Sequence, residues 1–378
     1  MIRYSFVIPT YNNRSLLQNT LKALDRLNPC DSGEFEVVVV DDGSDDGTGE
    51  MVGCLDVKYP RIYLYLENTG ESCRARTRNQ GWRVANGEIV IFIDSDIMIR
   101  KDHLRELERC FTLDPDILVT GNRIMMGKQD SPEKFLMDPP GSCAEMELDN
   151  LEIRHFLYET LSYNAQANQF DWMQVYSCNM AVLKKNLDRV GGFDEKIKHW
   201  GMEDQELGCS LKKMGIRIVI NSRLEVIHQY HGDRNDIVIN KGRLPGFLEN
   251  IDYFIAKHPD AVRINKKYLY KFLTGKIPVV SLPVSSAPLE WNFSPNDDLA
   301  VFKERILEII SGEKKTLIIN DHAENTDLDV WIQLLGEEGS GIRYYPVSRK
   351  IPPEMMKLFG EKRKREEDDN RIGNEARE

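Results

Sequence analysis

The chain has 378 residues, 41% of them hydrophobic, with a formal net charge of −11 and a sequence pI near 5.3. That hydrophobic content supports a substantial core and excludes global disorder, and the length predicts one large domain with an addition, or two domains. The acidic balance argues against a nucleic-acid partner, which needs clustered Lys and Arg, and more weakly against a broadly basic membrane-facing surface. No apolar run approaches the ~20 residues that span a bilayer. The opening run at residues 5–8 is too short for a secretion signal and ends in Pro9. The expected compartment is the cytoplasm, with peripheral membrane contact left open. Cysteines 30, 54, 73, 110, 143, 178 and 209 are scattered with no C-x-x-C pair, so reduced and mostly packed thiols are expected.

In chain order, residues 6–8 read as a strand, and Leu16, Leu17, Thr20, Leu21, Leu24 and Leu27 recur at helical spacing. Residues 37–40 form a second strand, nearly all valine, as a strand buried on both faces should be. Residues 62–66 and 89–93 read as the third and fourth strands, followed by a helix with Leu104, Leu107 and Phe111 on one face. Such alternation predicts an α/β fold with a mostly parallel sheet flanked by helices. Residues 127–150, with Gly127, Pro132, Pro139, Pro140 and Gly141, read as a long loop. A helix is expected near 151–163, and strands near 179–183 and 217–220. The expected layout is a first domain over 1–250, a helical or α/β appendage over 251–360, and a disordered charged tail over 361–378. Within the appendage, residues 297–310 look helical and 316–319 and 342–346 look like strands.

Chemistry-bearing residues gather where strands end. Pro9, Thr10, Tyr11 and Asn12 close the first strand and, taken alone, make an ordinary turn. Asp41 and Asp42 close the second, where α/β sheets bind ligands, and a carboxylate there can accept from the N–H of a pyrimidine base. An Asx turn opening the next helix explains them equally well. Asp94-Ser95-Asp96 closes the fourth strand. Two carboxylates one residue apart project alike from an extended chain and can hold one divalent cation; the competing reading is helix capping by Asp96. Gly191-Gly192-Phe193-Asp194-Glu195 precedes Trp200-Gly201-Met202-Glu203-Asp204, and Leu207, Leu211 and Met214 place Glu203 and Asp204 in a helix's first turn. The helix dipole alone favours acids there; the functional alternative is a general base beside an aromatic sugar platform. A lone histidine such as His228 is usually structural, but beside a carboxylate pair His228, or His231 three residues on, is a natural third metal ligand.

In this order and spacing, the motifs resemble the family 2 glycosyltransferases of the GT-A fold. Residues 6–96, with Asn68-x-Gly70, Arg78-Asn79-x-Gly81 and Ala85-Asn86-Gly87-Glu88, are similar to that family's nucleotide-binding half. Residues 179–231 resemble the C-terminal part of galactosyltransferase-type enzymes, and the resemblance as a whole spans roughly residues 4–235. It implies that Pro9, Thr10, Tyr11, Asp41 and Asp42 line a uridine site with Arg78 near the nucleotide. It implies that Asp94 and Asp96 bind the ribose and the metal-diphosphate, with Ser95 between them at the donor, and that Trp200 and Gly201 border the sugars. Asp204 is implied as the base with Glu203 beside it, and Asp94, Asp96 and His228 as the ligands of Mn²⁺ or Mg²⁺, His231 being the alternative. Thr77 departs mildly from the Ala that often precedes Arg-Asn in the family. The implied reaction is inverting transfer of a hexose or N-acetylhexosamine from a UDP-sugar to a hydroxyl acceptor; acceptor and oligomeric state stay open. Of the rivals, a nucleotidyltransferase gives Trp200, Gly201 and Asp204 no role, and a dinucleotide-dependent dehydrogenase wants G-x-G-x-x-G after the first strand. A non-catalytic carbohydrate- or nucleotide-binding protein on the same fold should have lost Asp96 or Asp204, and both are present.

Overall fold

The computed structural model describes residues 2–28, 33–67, 74–137, 147–167, 171–232, 243–261, 287–312, 316–323, 327–359 and 361. The first half alternates strand and helix: β1 (Ile2–Thr10), α1 (Arg14–Leu24), β2 (Glu34–Asp41), α2 (Thr48–Cys54), β3 (Arg61–Tyr65), α3 (Arg74–Val84) and β4 (Ile89–Ile93). It continues with β5 (Ile97–Ile99), α4 (His103–Leu113), β6 (Ile117–Thr120), β7 (Arg123–Met125), α5 (Pro132–Met137) and α6 (Ile153–Thr160). Then follow β8 (Asn179–Leu183), α7 (Lys184–Val190), α8 (Glu203–Lys213), β9 (Arg217–Ile220), β10 (Val226–His228) and α9 (Leu244–Lys257).

Seven of these strands form one sheet in the order β3-β2-β1-β4-β8-β6-β9. All neighbours are parallel except β8, which runs antiparallel to both β4 and β6. The valines of β2 and the isoleucines of β4 are buried on both faces because helices cover each side. One core, with Phe6, Ile8, Leu17, Leu21, Leu104 and Leu107, fills the side of α1 and α4. The other, with Val7, Val40, Trp82, Phe92, Leu207 and Phe254, fills the side of α3, α8 and α9. From β1 the chain order runs to β2 on one flank and to β4 on the other. The crevice beyond the carboxyl ends of β1 and β4 is therefore the topological switch point, where such sheets bind ligands. A second, three-stranded sheet, β5-β10-β7, lies beside it. Its register sets His228 opposite Ile97, next to the turn that follows β4.

Three expectations change. The stretch 127–150 holds α5 and a 3-10 turn at Leu148–Asn150, while Pro139, Pro140 and Gly141 lie outside the described residues. The helix expected to reach 163 stops at Thr160, because Ser162 and Tyr163 adopt positive φ of 51° and 50°. The break expected near 250 falls inside α9, whose Phe247, Ile251 and Phe254 belong to the second core. Helix burial against the sheet thus carries the first unit through α9.

The C-terminal unit comprises β11 (Leu289–Phe293), α10 (Leu299–Ser311), β12 (Leu317–Asp321), α11 (Leu328–Leu334) and β13 (Ile342–Pro346). Its three strands pair in parallel in sequence order, and Phe293, Ile306, Leu317, Ile319 and Tyr344 share one core with Tyr158, Tyr163, Ala165 and Ile220 of the first unit. It docks through α11. Asp329 pairs with Arg109 at 2.9 Å and with Arg223 at 3.1 Å. The Gln333 side chain donates to the Ile220 carbonyl at 2.8 Å and accepts from the Ile220 N–H at 2.9 Å, so an amide side chain closes the open edge of β9. Among the described cysteines, Cys110, Cys178 and Cys209 are buried free thiols and Cys54 is exposed; Cys30, Cys73 and Cys143 lie outside the described residues. No helix among the described residues is long and apolar enough to cross a membrane. The charged tail beyond 361 and the Asn68-x-Gly70 motif also lie outside them.

Candidate active site

The ends of β1 and β2 form the first wall. Thr10 is buried, Pro9 half-buried and Tyr11 exposed. Asn12, at a φ of 45°, donates its N–H to Ser44 Oγ at 2.8 Å and accepts from the Asp45 N–H at 2.9 Å, which clamps the two strand-end loops together. Asp41 is fully buried. Its Oδ1 accepts from the Ser44 N–H at 2.7 Å and its Oδ2 from the Tyr63 hydroxyl of β3 at 2.6 Å, so one oxygen serves the loop and the other the neighbouring strand. Asp42 is the more open of the pair. Burial raises its pKa although Arg76, 3.6 Å away, opposes the shift. Ser95, expected at the donor, ties the turn after β4 to α1: its Oγ accepts from Asn13 at 2.8 Å and its carbonyl from Thr20 at 2.9 Å.

Beyond β4 the two aspartates part company. Asp94, expected at the metal, accepts from Arg78 Nη2 at 2.9 Å. Arg78 comes from α3, is buried, lies over the Phe193 ring at 5.6 Å, and reaches Glu203 at 3.4 Å with its other terminal nitrogen. Burial works against its charge, but Asp94, Asp204 and Glu203 outweigh burial and raise its pKa. Asp96 instead faces the histidines, its Oδ2 lying 3.5 Å from His228 Nε2 and 3.1 Å from His231 Nε2. The three ligand atoms lie within 4.8 Å of one another. Asp96 Oδ1 is buried with no hydrogen-bond partner among the described residues, an oxygen that a cation would satisfy. Burial opposes ionisation of Asp96, but the hydrogen bond from His231 and the nearby His228 and Arg123 prevail and lower its pKa. Burial lowers the pKa of His228, leaving the neutral imidazole that a ligand must be. This carboxylate and imidazole set fits a divalent transition ion better than Mg²⁺, which prefers oxygen alone. His231 joins His228 here rather than replacing it.

The third wall is the entry to α8. Gly201 at a φ of 91° and buried Met202 at 79° are both left-handed, a conformation that costs a non-glycine residue and is held here by its surroundings. A Cβ on Gly201 would stand 2.6 Å from the Phe247 ring. The Trp200 ring packs against Phe247 at 5.8 Å, and Asn250 of α9 donates to the His199 and Gly201 carbonyls at 3.0 and 2.7 Å. The turn aims Asp204 at the Ser177 N–H, 3.0 Å from its Oδ2, while Asp204 Oδ1 and Glu203 Oε2 are buried with no hydrogen-bond partner among the described residues. Burial, then the charge of Glu203, raises the Asp204 pKa to about 6, with Arg78 opposing. Neither Ser177 nor Asn250 carries any motif that would have flagged it. They act through the backbone and through α9, whose Phe247, Ile251 and Phe254 recur at helical spacing.

The model for glycosyl transferase family 2 matches residues 5–191, and a model described as the N-terminal domain of galactosyltransferase matches residues 161–232. An uncharacterized glycosyltransferase, YfnE, of Bacillus subtilis is 27% identical over 261 residues, 61% of this chain and 65% of that one. Validoxylamine A glucosyltransferase of Streptomyces hygroscopicus subsp. limoneus is 27% identical over 275 residues, 68% of this chain and 56% of that one. The chain thus spans less than two thirds of the length of these curated relatives. Among solved structures, S. aureus TarS 1–349 in complex with UDP-GlcNAc is similar at 20% identity and a TM-score of 0.49, covering 72% of this chain and 70% of that one. The two family models together reach from β1 through β10, more than half of the chain, over the sheet that carries the strand-end aspartates. The chain therefore belongs to glycosyl transferase family 2, with its GT-A fold.

Proposed function

We propose that the chain transfers a hexose or N-acetylhexosamine from a UDP-sugar to a hydroxyl acceptor, with inversion, in the unit that ends with α9. The observation that carries this reading is the pairing of two sites: a carboxylate–histidine cluster able to hold a cation at the switch point, and the half-buried carboxylate of Asp204 at the start of α8, whose Oδ1 is buried with no hydrogen-bond partner among the described residues. Asp96, His228 and His231 would hold the ion, Mn²⁺ before Mg²⁺ on their donor set. When bound, such an ion neutralises charge on a leaving diphosphate. Asp42 and the Pro9–Tyr11 edge would receive the uracil, with Asp41 shaping the loop. Trp200 and Gly201 would border the sugars, and Asp94, held by Arg78, would face the ribose.

Asp204 would accept the acceptor's proton as the new bond forms, which a carboxylate can do for a group it could not deprotonate beforehand. Glu203 Oε2 would position the acceptor hydroxyls. The test is turnover of a UDP-sugar panel with Mn²⁺ or with a chelator, followed by the anomeric proton coupling of the product. UDP-α-sugars should give β-linked products only in the presence of the ion; an α-linked product would overturn the single displacement.

A further inference from the structure

A cavity of about 320 Å³ opens where the C-terminal unit meets α4 and the loop before β10. It is separate from the Asp96 cluster. The β5–β10 ribbon pairs His228 with Ile97 at one end and Val226 with Ile99 at the other, so Arg100 and Glu225 stand three residues further on. That is roughly 10 Å along an extended chain. Arginines dominate the cavity wall. Buried Glu225 faces two of them, Arg100 at 3.3 Å and Arg349, so one carboxylate answers two guanidiniums. Burial lowers the pKa of Arg100 although Glu225 opposes the shift, with Arg349 adding to it and Asp102 working against it. The other acids of the wall are engaged elsewhere, Glu106 by Arg109 and Asn221 and Asp102 by Asn28. Arg105 is exposed and makes no ion pair among the described residues.

A second feature points the same way. His103, at the start of α4, lines the cavity, is 3% exposed, and has no hydrogen-bond partner on either ring nitrogen among the described residues. Burial lowers its pKa to about 3, so the ring is neutral and carries one N–H to give. Buried polar groups are ordinarily satisfied, and one left open beside an arginine-lined cavity is a donor awaiting an acceptor.

We propose that this cavity binds an organic oxyanion, a phosphate or carboxylate carried on a sugar-sized body. Arg100, Arg105 and Arg349 supply the charge, and the His103 N–H and the Ser348 hydroxyl supply neutral donors. The volume falls at the lower end of the range for small-molecule sites, about 300–1,000 Å³, and exceeds what a bare phosphate fills. Charge-assisted bonds from planar guanidiniums suit either oxyanion.

Calorimetric titration of the full chain with glucose 6-phosphate, glucuronate, inorganic phosphate and glucose tests this. At least one of the two sugar acids should bind saturably, inorganic phosphate several-fold more weakly, and glucose not at all. Arg105→Glu and Ser348→Glu each place a negative charge on the cavity wall without removing a buried partner. Each should weaken that binding by at least ~10-fold at an unchanged melting temperature. Asp96→Asn should bind the sugar acid as the wild type does, which separates this site from the proposed transfer site. Absence of saturable binding by both sugar acids, inorganic phosphate binding as tightly, affinity unchanged in both charge variants, or loss of binding in Asp96→Asn would each overturn the proposal.

Discussion

Asp204→Asn preserves the side chain's shape and its acceptance of the Ser177 N–H while removing its basicity. Burial and Glu203 set the carboxyl at about 6 against an ordinary value of 3.8. At pH 5 a base with that pKa is roughly 10% ionised, so kcat/KM there should be about a tenth of its plateau. A base at the ordinary value would still be more than ~90% ionised at pH 5, and the profile would be flat. At pH 7.5 the variant should lose ~10²–10⁴ in kcat while UDP affinity stays within a few-fold, since the uridine wall we propose lies at the ends of β1 and β2. Glu203→Gln removes the like charge, so the acid limb should move to lower pH while acceptor KM rises. Stability has the opposite sign to activity. The folded pKa is raised, so the stabilisation contributed by Asp204 is full below pH 3.8 and is lost as pH rises through about 6. The Asn variant should therefore melt no lower than wild type at pH 8. Initial rates from pH 4.5 to 8.5 with a working acceptor, and thermal melts at both ends, settle the matter. A wild-type profile flat to pH 4.5, or a variant keeping more than about a tenth of kcat, would refute the assignment of the base.

Asp96→Asn should lower kcat by at least ~10²-fold and weaken UDP binding in Mn²⁺ but not without it; full wild-type activity in a chelator would remove the cation site. UDP should bind at least ~10-fold more tightly than GDP or ADP in calorimetry, and Asp42→Asn should narrow that gap; equal affinities would end the uridine reading. Asp41→Asn should act mainly on stability, by about 1–3 kcal/mol in urea unfolding, because Ser44 and Tyr63 lose a charged acceptor. Asp329→Asn should cost about 1–3 kcal/mol by the same measure, since half-buried Arg109 and Arg223 lose the charge of the carboxylate they share while Arg109 keeps Glu106; an unmoved midpoint would contradict the docking of the C-terminal unit.

Long, strongly patterned elements were legible in the sequence. The valines of β2 and the isoleucines of β4 announce strands covered on both faces, and the strand-end aspartates fall where a parallel sheet binds ligands. Short elements were not. β5 and β10 have three residues each, too few for any periodicity, yet their pairing is what brings His228 to Asp96. The antiparallel course of β8 leaves no trace in its composition. The period-two argument that set Asp94 and Asp96 side by side fails for a local reason. β4 ends at Ile93, and the Ile97 N–H donates to the Asp94 carbonyl at 3.1 Å, so the pair sits in a turn rather than in a strand. A boundary near 250 cuts through α9, whose Phe247, Ile251 and Phe254 recur at helical spacing, while the Trp172 and Trp200 that Phe254 and Phe247 pack against are distant in sequence.

What the sequence presented as separate motifs, packing makes into one device. Asn79 of α3 accepts from the Phe193 N–H at 2.9 Å and gives its amide protons to the Phe193 carbonyl at 2.9 Å and to Glu195 at 2.8 Å. Gly192 must be a glycine for this, because at its φ of 77° a Cβ would stand 2.4 Å from Asn79 Oδ1. One residue earlier, Arg78 joins Asp94 at the end of β4 to Glu203 at the start of α8. Lysine would be a poor substitute, since a point charge cannot hold two carboxylates in fixed, divergent directions as a planar guanidinium does. The consecutive pair Arg78-Asn79 thus sets where the loop from Gly191 to Asp204 begins and where it ends. The wall at the end of β4 holds the wall at α8 in place through these two side chains. Asp204, which touches neither Asp94 nor Asp96 directly, nevertheless owes its position to the same helix that fixes Asp94, and any movement of α3 would be felt on both walls at once.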